Sequence, residues 1–134
     1  MAKNVPAGAP HIVPALRYQD GPAAIEWLGK VLGFEKHMVV PGPGGTIAHA
    51  QMTFGPGVIM LGSVKHGPER NPWDAVAQGV YVYVEDVDAH YRRAKAAGAE
   101  IVEELRDTPY GSREYSVRDS EGHLWGFGTY RPGA

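Results

Sequence analysis

The chain has 134 residues, 43% hydrophobic and 21% charged, with a formal net charge of -2: enough for one domain with a real core, and no electrostatic reason to expect nucleic acid or an anionic membrane as partner. The absence of cysteine excludes disulfides, thiolate metal sites and cysteine nucleophiles together. No stretch approaches the ~18 apolar residues of a membrane helix, and the first residues hold no apolar run of the signal-peptide kind, so a cytoplasmic protein is expected.

Residues 1–10 read as a loose tail. His11 to Tyr18 is expected to form a strand, with Pro14 implying an edge position or a break in the ladder. Asp20 is a good helix N-cap and Pro22 falls in the first turn, where proline is accepted. Ile25, Leu28 and Leu32 follow at helical spacing, and Gly33 fits the residue just past the helix end. Phe34 to Val40 is the next strand, and Pro41 to Gly45 a turn. Thr46 to Phe54 alternates: Ala48, Ala50, Met52 and Phe54 on one face, His49, Gln51 and Thr53 on the other. A Gly-Pro-Gly turn leads to a fully apolar strand, Val58 to Leu61.

Ser63 to Gln78 is the longest irregular stretch, containing His66, Pro68, Pro72 and one aromatic, Trp73; loops of this length are often functional or are linkers. The pattern then restarts. Val80 to Val84 reads as a strand, and Asp86 caps a helix bearing Val87, Tyr91 and Ala94 on one face, with Gly98 at its end. Glu100 to Leu105 is a strand. Ser112–Arg118 and His123–Tyr130 form a hairpin around Asp119-Ser-Glu-Gly122, in which aspartate starts the turn and glycine takes the left-handed position.

The two halves repeat. Each reads strand, capped helix, strand, hairpin, with Asp20 matching Asp86, Gly33 matching Gly98, Glu35 matching Glu100 and Gly57 matching Gly122. This predicts an α+β protein of two βαβββ modules, 11–62 and 79–131, joined by a linker over 63–78, with about eight strands and two main helices. No phosphate-binding loop or nucleophile elbow is present. Glu103 and Glu104 are adjacent, so on a strand they point to opposite faces.

The Arg118-Asp-x-Glu-Gly-His-Leu-Trp-x-Phe127 hairpin and the repeat resemble the vicinal oxygen chelate superfamily, which includes glyoxalase I, extradiol dioxygenases and bleomycin-resistance proteins. The resemblance implies two modules that curl into a cup around a small molecule, and a homodimer in which one chain's N-terminal module completes the other's cup. Metal-using members hold a divalent ion on four inward side chains. The matching positions here are Val13, Met60, Val80 and Gly126, none with the oxygen or nitrogen donors such an ion needs. No metal or other cofactor is therefore expected, and a one-residue slip brings in no ordinary ligand.

The resemblance also implies that Arg17, on the strand face of Val13, grips a carboxylate, as a guanidinium fork suits; a plain surface arginine is the alternative. His49 and Gln51 contact a ligand if their face lines the cup, and are the wet side of the sheet if it does not. Trp73 is expected at the cup mouth or as an exposed loop aromatic, Trp125 and Phe127 in the core, and Trp27 in the core or at a dimer seam. His123 is expected to steady its own hairpin. The leading reading is metal-independent binding of a bulky, partly aromatic molecule, like the bleomycin- and enediyne-binding branch, through Val13, Arg17, His49, Gln51, Met60, Trp73 and Val80. The alternative is a lyase, isomerase or dioxygenase of the same superfamily acting on a small organic substrate.

Overall fold

The computed structural model describes residues 10–65, 68 and 72–132. The expected tail over 1–9 and His66 lie outside the described residues. The chain runs through β1 (Ala15–Tyr18), α1 (Gly21–Trp27) with a π-type turn (Leu28–Leu32), β2 (Glu35–Pro41), β3 (Ile47–Phe54) and β4 (Gly57–Ser63). After a short 3-10 turn (Pro72–Ala75) come β5 (Gly79–Tyr83), α2 (Val87–Ala96), β6 (Glu100–Asp107), β7 (Arg113–Arg118) and β8 (Leu124–Gly128). The result is an α+β fold of two four-stranded sheets, ordered β1-β4-β3-β2 and β5-β8-β7-β6. In each, the first strand pairs parallel with the last and the other pairs are antiparallel.

Both helices start where the caps predict. The Asp20 carboxylate accepts from Ala23 N, and that of Asp86 from Ala89 N, each at 3.0 Å, satisfying amides that the first helical turn leaves without partners. Ile25, Leu28 and Leu32 are buried, as their spacing predicts, although the last turn of the first helix widens. The carbonyls at this helix end are taken by α2: Arg93 Nη2 donates to Gly29 O at 3.1 Å and His90 Nε2 to Leu32 O at 2.8 Å. Gly33 ends the turn at φ 86°. A side chain there would be strained, and its Cβ would lie 3.2 Å from the Arg93 guanidinium.

One hydrophobic core joins the halves. Trp125 and Phe127 are fully buried in it, each contributing about 1.5–3 kcal/mol or more by burial alone. Phe34 of the first half meets Trp125 edge-on at 5.4 Å between centroids, and Trp27 packs partly buried against the same core. Ala50 and Met52 are fully buried, as the alternation of β3 predicts, whereas Ala48 is exposed near the strand's start.

Two registers differ from the sequence reading. The β3–β4 turn is closed by Phe54 opposite Gly57. In the second hairpin Arg118 pairs with Leu124, and Asp119 N donates to His123 O at 2.9 Å. The second turn is one residue longer, so the partner of Gly57 in the repeat is His123, not Gly122. On β5, Val80 lies opposite Trp125, and Tyr81 lies opposite Gly126. Paired residues share a sheet face, so Val80 belongs with the core and Tyr81, not Val80, shares the open face of Gly126. A five-residue strand with an aromatic or β-branched residue at four positions carries no alternation from which to read its faces.

Candidate functional site

The side of the first sheet away from its helix collects most of the residues singled out above. Arg17 pairs with Gly62 and Gln51 with Met60, while Met38 lies opposite Gln51 and Val40 opposite His49. His49 and Gln51 are bonded to each other, Nε2 to Nε2, at 3.1 Å. Around these polar groups Met38 and Val40 are each 43% exposed, giving an apolar field with a few directional groups set into it, the ordinary composition of a small-molecule site. Val13 precedes β1 by two residues and is half-buried.

Arg17 does not stand alone. Its Nε lies 3.5 Å from Asp74 Oδ1, whose side chain is completely buried. The 3-10 turn that holds Asp74 also holds Trp73, 54% exposed, and packs beside β1. The structure thus gathers Arg17, His49, Gln51 and Met60 on one face and brings the Trp73 turn to its border. Val80 lies on the other side of the other sheet.

Of the positions matched to the family's metal ligands, Val13, Met60 and Gly126 lie on the open faces, Tyr81 takes the place given to Val80, and the repeat counterparts of Tyr81 and Val13, Ala15 and Gly79, carry no side-chain donor. The Tyr81 hydroxyl donates to Tyr130 O at 2.5 Å, Val13 and Gly126 have no side-chain donor atom, and Met60 offers only a soft thioether sulfur. This set does not fit a divalent ion. Among the described residues no three or more His, Cys, Asp or Glu converge elsewhere.

Three polar residues have larger roles than their local sequence suggests. Asp119 does start its turn, with Oδ1 accepting from Glu121 N and His123 N at 3.0 Å each. It is also buried, and Oδ2 accepts from Tyr18 OH at 2.7 Å and Trp125 Nε1 at 3.1 Å. Burial, then the Asp119 charge, holds the Tyr18 hydroxyl well above the usual tyrosine range. His123 steadies its own hairpin through its backbone, as expected, and its ring also bridges the halves: Nδ1 accepts from Gln78 N at 2.9 Å and Nε2 donates to Arg17 O at 3.0 Å. His90 sits with its ring 4.1 Å from that of Phe127, and Nδ1 is 2.5 Å from the Tyr115 hydroxyl. Burial pushes its pKa down, the Leu32 carbonyl opposes this, and the Arg93 charge adds to it. A signal for His90 was present, because positions 87, 90 and 94 make one helical face.

A sizeable cavity lies away from the open face. It is a cleft of about 880 Å³ between the halves, on the helix side of the sheets, walled by Phe34, Phe54, Ile59, Val80, Val82 and His90.

Two βαβββ halves, each a four-stranded sheet with its first and last strands parallel, define a paired-module fold, and the chain belongs to the Glyoxalase/Bleomycin resistance protein/Dioxygenase superfamily, whose family model matches residues 8–127. Among solved structures it is similar to TioX from Micromonospora sp. ML1, at 39% identity and a TM-score of 0.79 over 91% of this chain and 99% of that one. It is 34% identical to a Mycobacterium bovis protein, "Uncharacterized protein Mb0911c", over 96% of this chain and 86% of that one. TnmS3, an antibiotic binding protein from Streptomyces sp. CB03234, shares the fold at 21% identity and a TM-score of 0.62, over 89% of this chain and 95% of that one.

Proposed function

We propose that the protein binds a bulky, partly aromatic small molecule, without metal, on the open face of its first sheet. The observation that carries this reading is the convergence of Arg17, His49, Gln51 and Met60 on one face beside half-exposed Met38 and Val40. Apolar area supplies most of the affinity, and the polar groups set orientation. The fold is shared with TnmS3, an antibiotic binding protein. An open face within one chain needs a cover, and a second copy is the cover that the superfamily suggests. The second copy's Tyr81, Gly126 and Ser116 face would then lie opposite.

Asp74 changes what Arg17 can do. With the carboxylate at 3.5 Å the guanidinium brings little net charge and works as an oriented donor fork. An anionic ligand has to compete with Asp74 for it.

The experiment is a fluorescence and calorimetric titration with bleomycin and with a pair of planar aromatic probes, anthracene-2-carboxylate and its neutral carboxamide. Binding should quench tryptophan emission, and the quench should largely vanish in Trp73→Phe, because Trp125 is fully buried. Arg17→Ala should weaken the carboxylate by about 1.5–3 kcal/mol, the usual worth of a hydrogen bond to a charged group, and leave the carboxamide nearly unchanged. Asp74→Asn should tighten the carboxylate. If every probe binds equally well to Arg17→Ala and His49→Ala, the open face is not the site. Turnover of any probe would move the reading to the enzymes of the superfamily.

A further inference from the structure

The first strand of each sheet is an edge strand, and the two edges are treated differently. In β1, Pro14 O accepts from Met60 N and Tyr18 O from Val64 N, so the even-numbered residues turn to β4. The carbonyls of Ala15 and Arg17 point the other way. The second half caps both: Gln78 Nε2 donates to Ala15 O, and His123 Nε2 to Arg17 O.

In β5, Gln78 O accepts from Leu124 N and Val84 N donates to Gly128 O, so the even-numbered residues again turn inward. Tyr81 and Tyr83 therefore present their backbone N–H and C=O groups outward, into the cleft that both residues line. The internal repeat says what should cap them. Tyr81 stands to Gly126 as Ala15 stands to Met60, which puts Ile12 in the place of Gln78 and Gly57 in the place of His123. Neither has a side-chain donor. Both line the same cleft, and Ile12 is 90% exposed. Among the described residues, the edge that is sealed in one half is thus open in the other.

We propose that this cleft is a second binding site, distinct from the open face, that takes an extended, apolar, peptide-like molecule as an added strand on β5. Unpaired strand-edge amides ask for a ligand with alternating backbone donors and acceptors. Most of the lining asks for apolar side chains, since Phe34, Phe54, Ile59, Val80 and Val82 are hydrocarbon, while Glu85, Asp86, Arg93 and Arg131 also line the cleft. Both nitrogens of His90 are already engaged, by Tyr115 and the Leu32 carbonyl, so its ring adds surface and not a new polar demand. Five residues of β5 span about 16 Å, which, with the cavity of about 880 Å³, suits a ligand of about three or four residues.

The probe is acetyl-Val-Leu-Val-amide, with a twin whose backbone amides are N-methylated. Binding is followed by calorimetry, and the Tyr81 and Tyr83 amides by hydrogen exchange in NMR spectra. The peptide should slow exchange at both amides at least tenfold. The twin keeps the side chains and loses the donors, and should bind at least tenfold more weakly. Ile12→Gln supplies a donor where Gln78 serves in the other half, and should weaken the peptide by a similar factor; Ile12 is too exposed for the change to threaten the fold. His49→Ala, on the open face, should leave peptide binding unchanged. No binding up to millimolar peptide, equal binding of the twin, or unchanged exchange at saturation would overturn the proposal. So would Tyr81 and Tyr83 amides already protected before peptide is added, since a second copy or the chain's own N-terminal segment would then hold the edge.

Discussion

Asp119 ties distant parts of the chain together through one side chain. One buried carboxylate satisfies the Tyr18 hydroxyl, the Trp125 indole and two turn amides. Asp119→Ala would leave those donors buried without an acceptor, at roughly 1–3 kcal/mol each where water cannot reach. A loss of roughly 3–4 kcal/mol is expected in urea denaturation, with Asp119→Glu recovering part of it. His90 gives a pH signature. Its pKa is lowered in the folded state, so below the ordinary value near 6.5 the unfolded chain binds the proton first and stability falls with pH. The loss should begin around pH 6.5 and continue until the pH passes the lowered folded value, at about 1.4 kcal/mol for each pKa unit of depression. Denaturation midpoints of wild type and His90→Gln, compared from pH 7.5 to 5, should converge in acid. A constant gap would mean that His90 does not titrate with folding.

At the scale of elements, the caps and the hairpin carry the repeat. Asp20→Ala and Asp86→Ala should each cost about 1 kcal/mol, or about 3–5 °C of melting temperature in a domain of this size. The two helices are not independent, because His90 and Arg93 of α2 take carbonyls from the end of the first helix. Arg93→Ala should therefore raise hydrogen exchange in the Leu28–Leu32 turn as well as in α2. A rise confined to α2 would count against that coupling. The β7–β8 hairpin similarly works away from itself: Glu121 accepts from Gln19 N and, at 2.9 Å, from Asp20 N, so the same turn that caps the β1 edge also steadies the start of the first helix.

For the whole molecule, the two sheets turn their apolar faces inward to one core and their other faces outward. Exposed Met38, Val39 and Val40 on β2, and exposed Tyr81, Leu124 and Tyr130 in the second half, are apolar surface that a second copy can cover. Light scattering at micromolar concentration should report twice the chain mass, and Val40→Glu should shift the protein toward the monomer without unfolding it. A single-chain mass for the wild type would remove the dimer and leave the open face uncovered.

Most of the elements could be read in advance, since they follow from short-range physics. Asp20 and Asp86 announce helix starts, Gly33 and Gly98 their ends, Ala50 and Met52 the buried face of β3, and Asp119 with Gly122 a turn. The repeat of these signals made the paired-module fold and its superfamily legible too. What the chain could not announce were relations between residues far apart along it. That Asp74 pairs with Arg17, and that His123 and Gln78 cap β1, depends on how the halves pack. Val80 and Tyr81 exchanged faces because only the pairing with β8 sets the register of a strand with no alternation. The β5 edge is of the same kind: nothing in the sequence marks Ile12 and Gly57 as edge residues until the fold sets them where the other half has a glutamine and a histidine. Backbone conformation is chosen locally, by sterics, caps and periodicity, whereas hydrogen-bond partners and cavities are chosen by packing, which no stretch of the chain contains by itself.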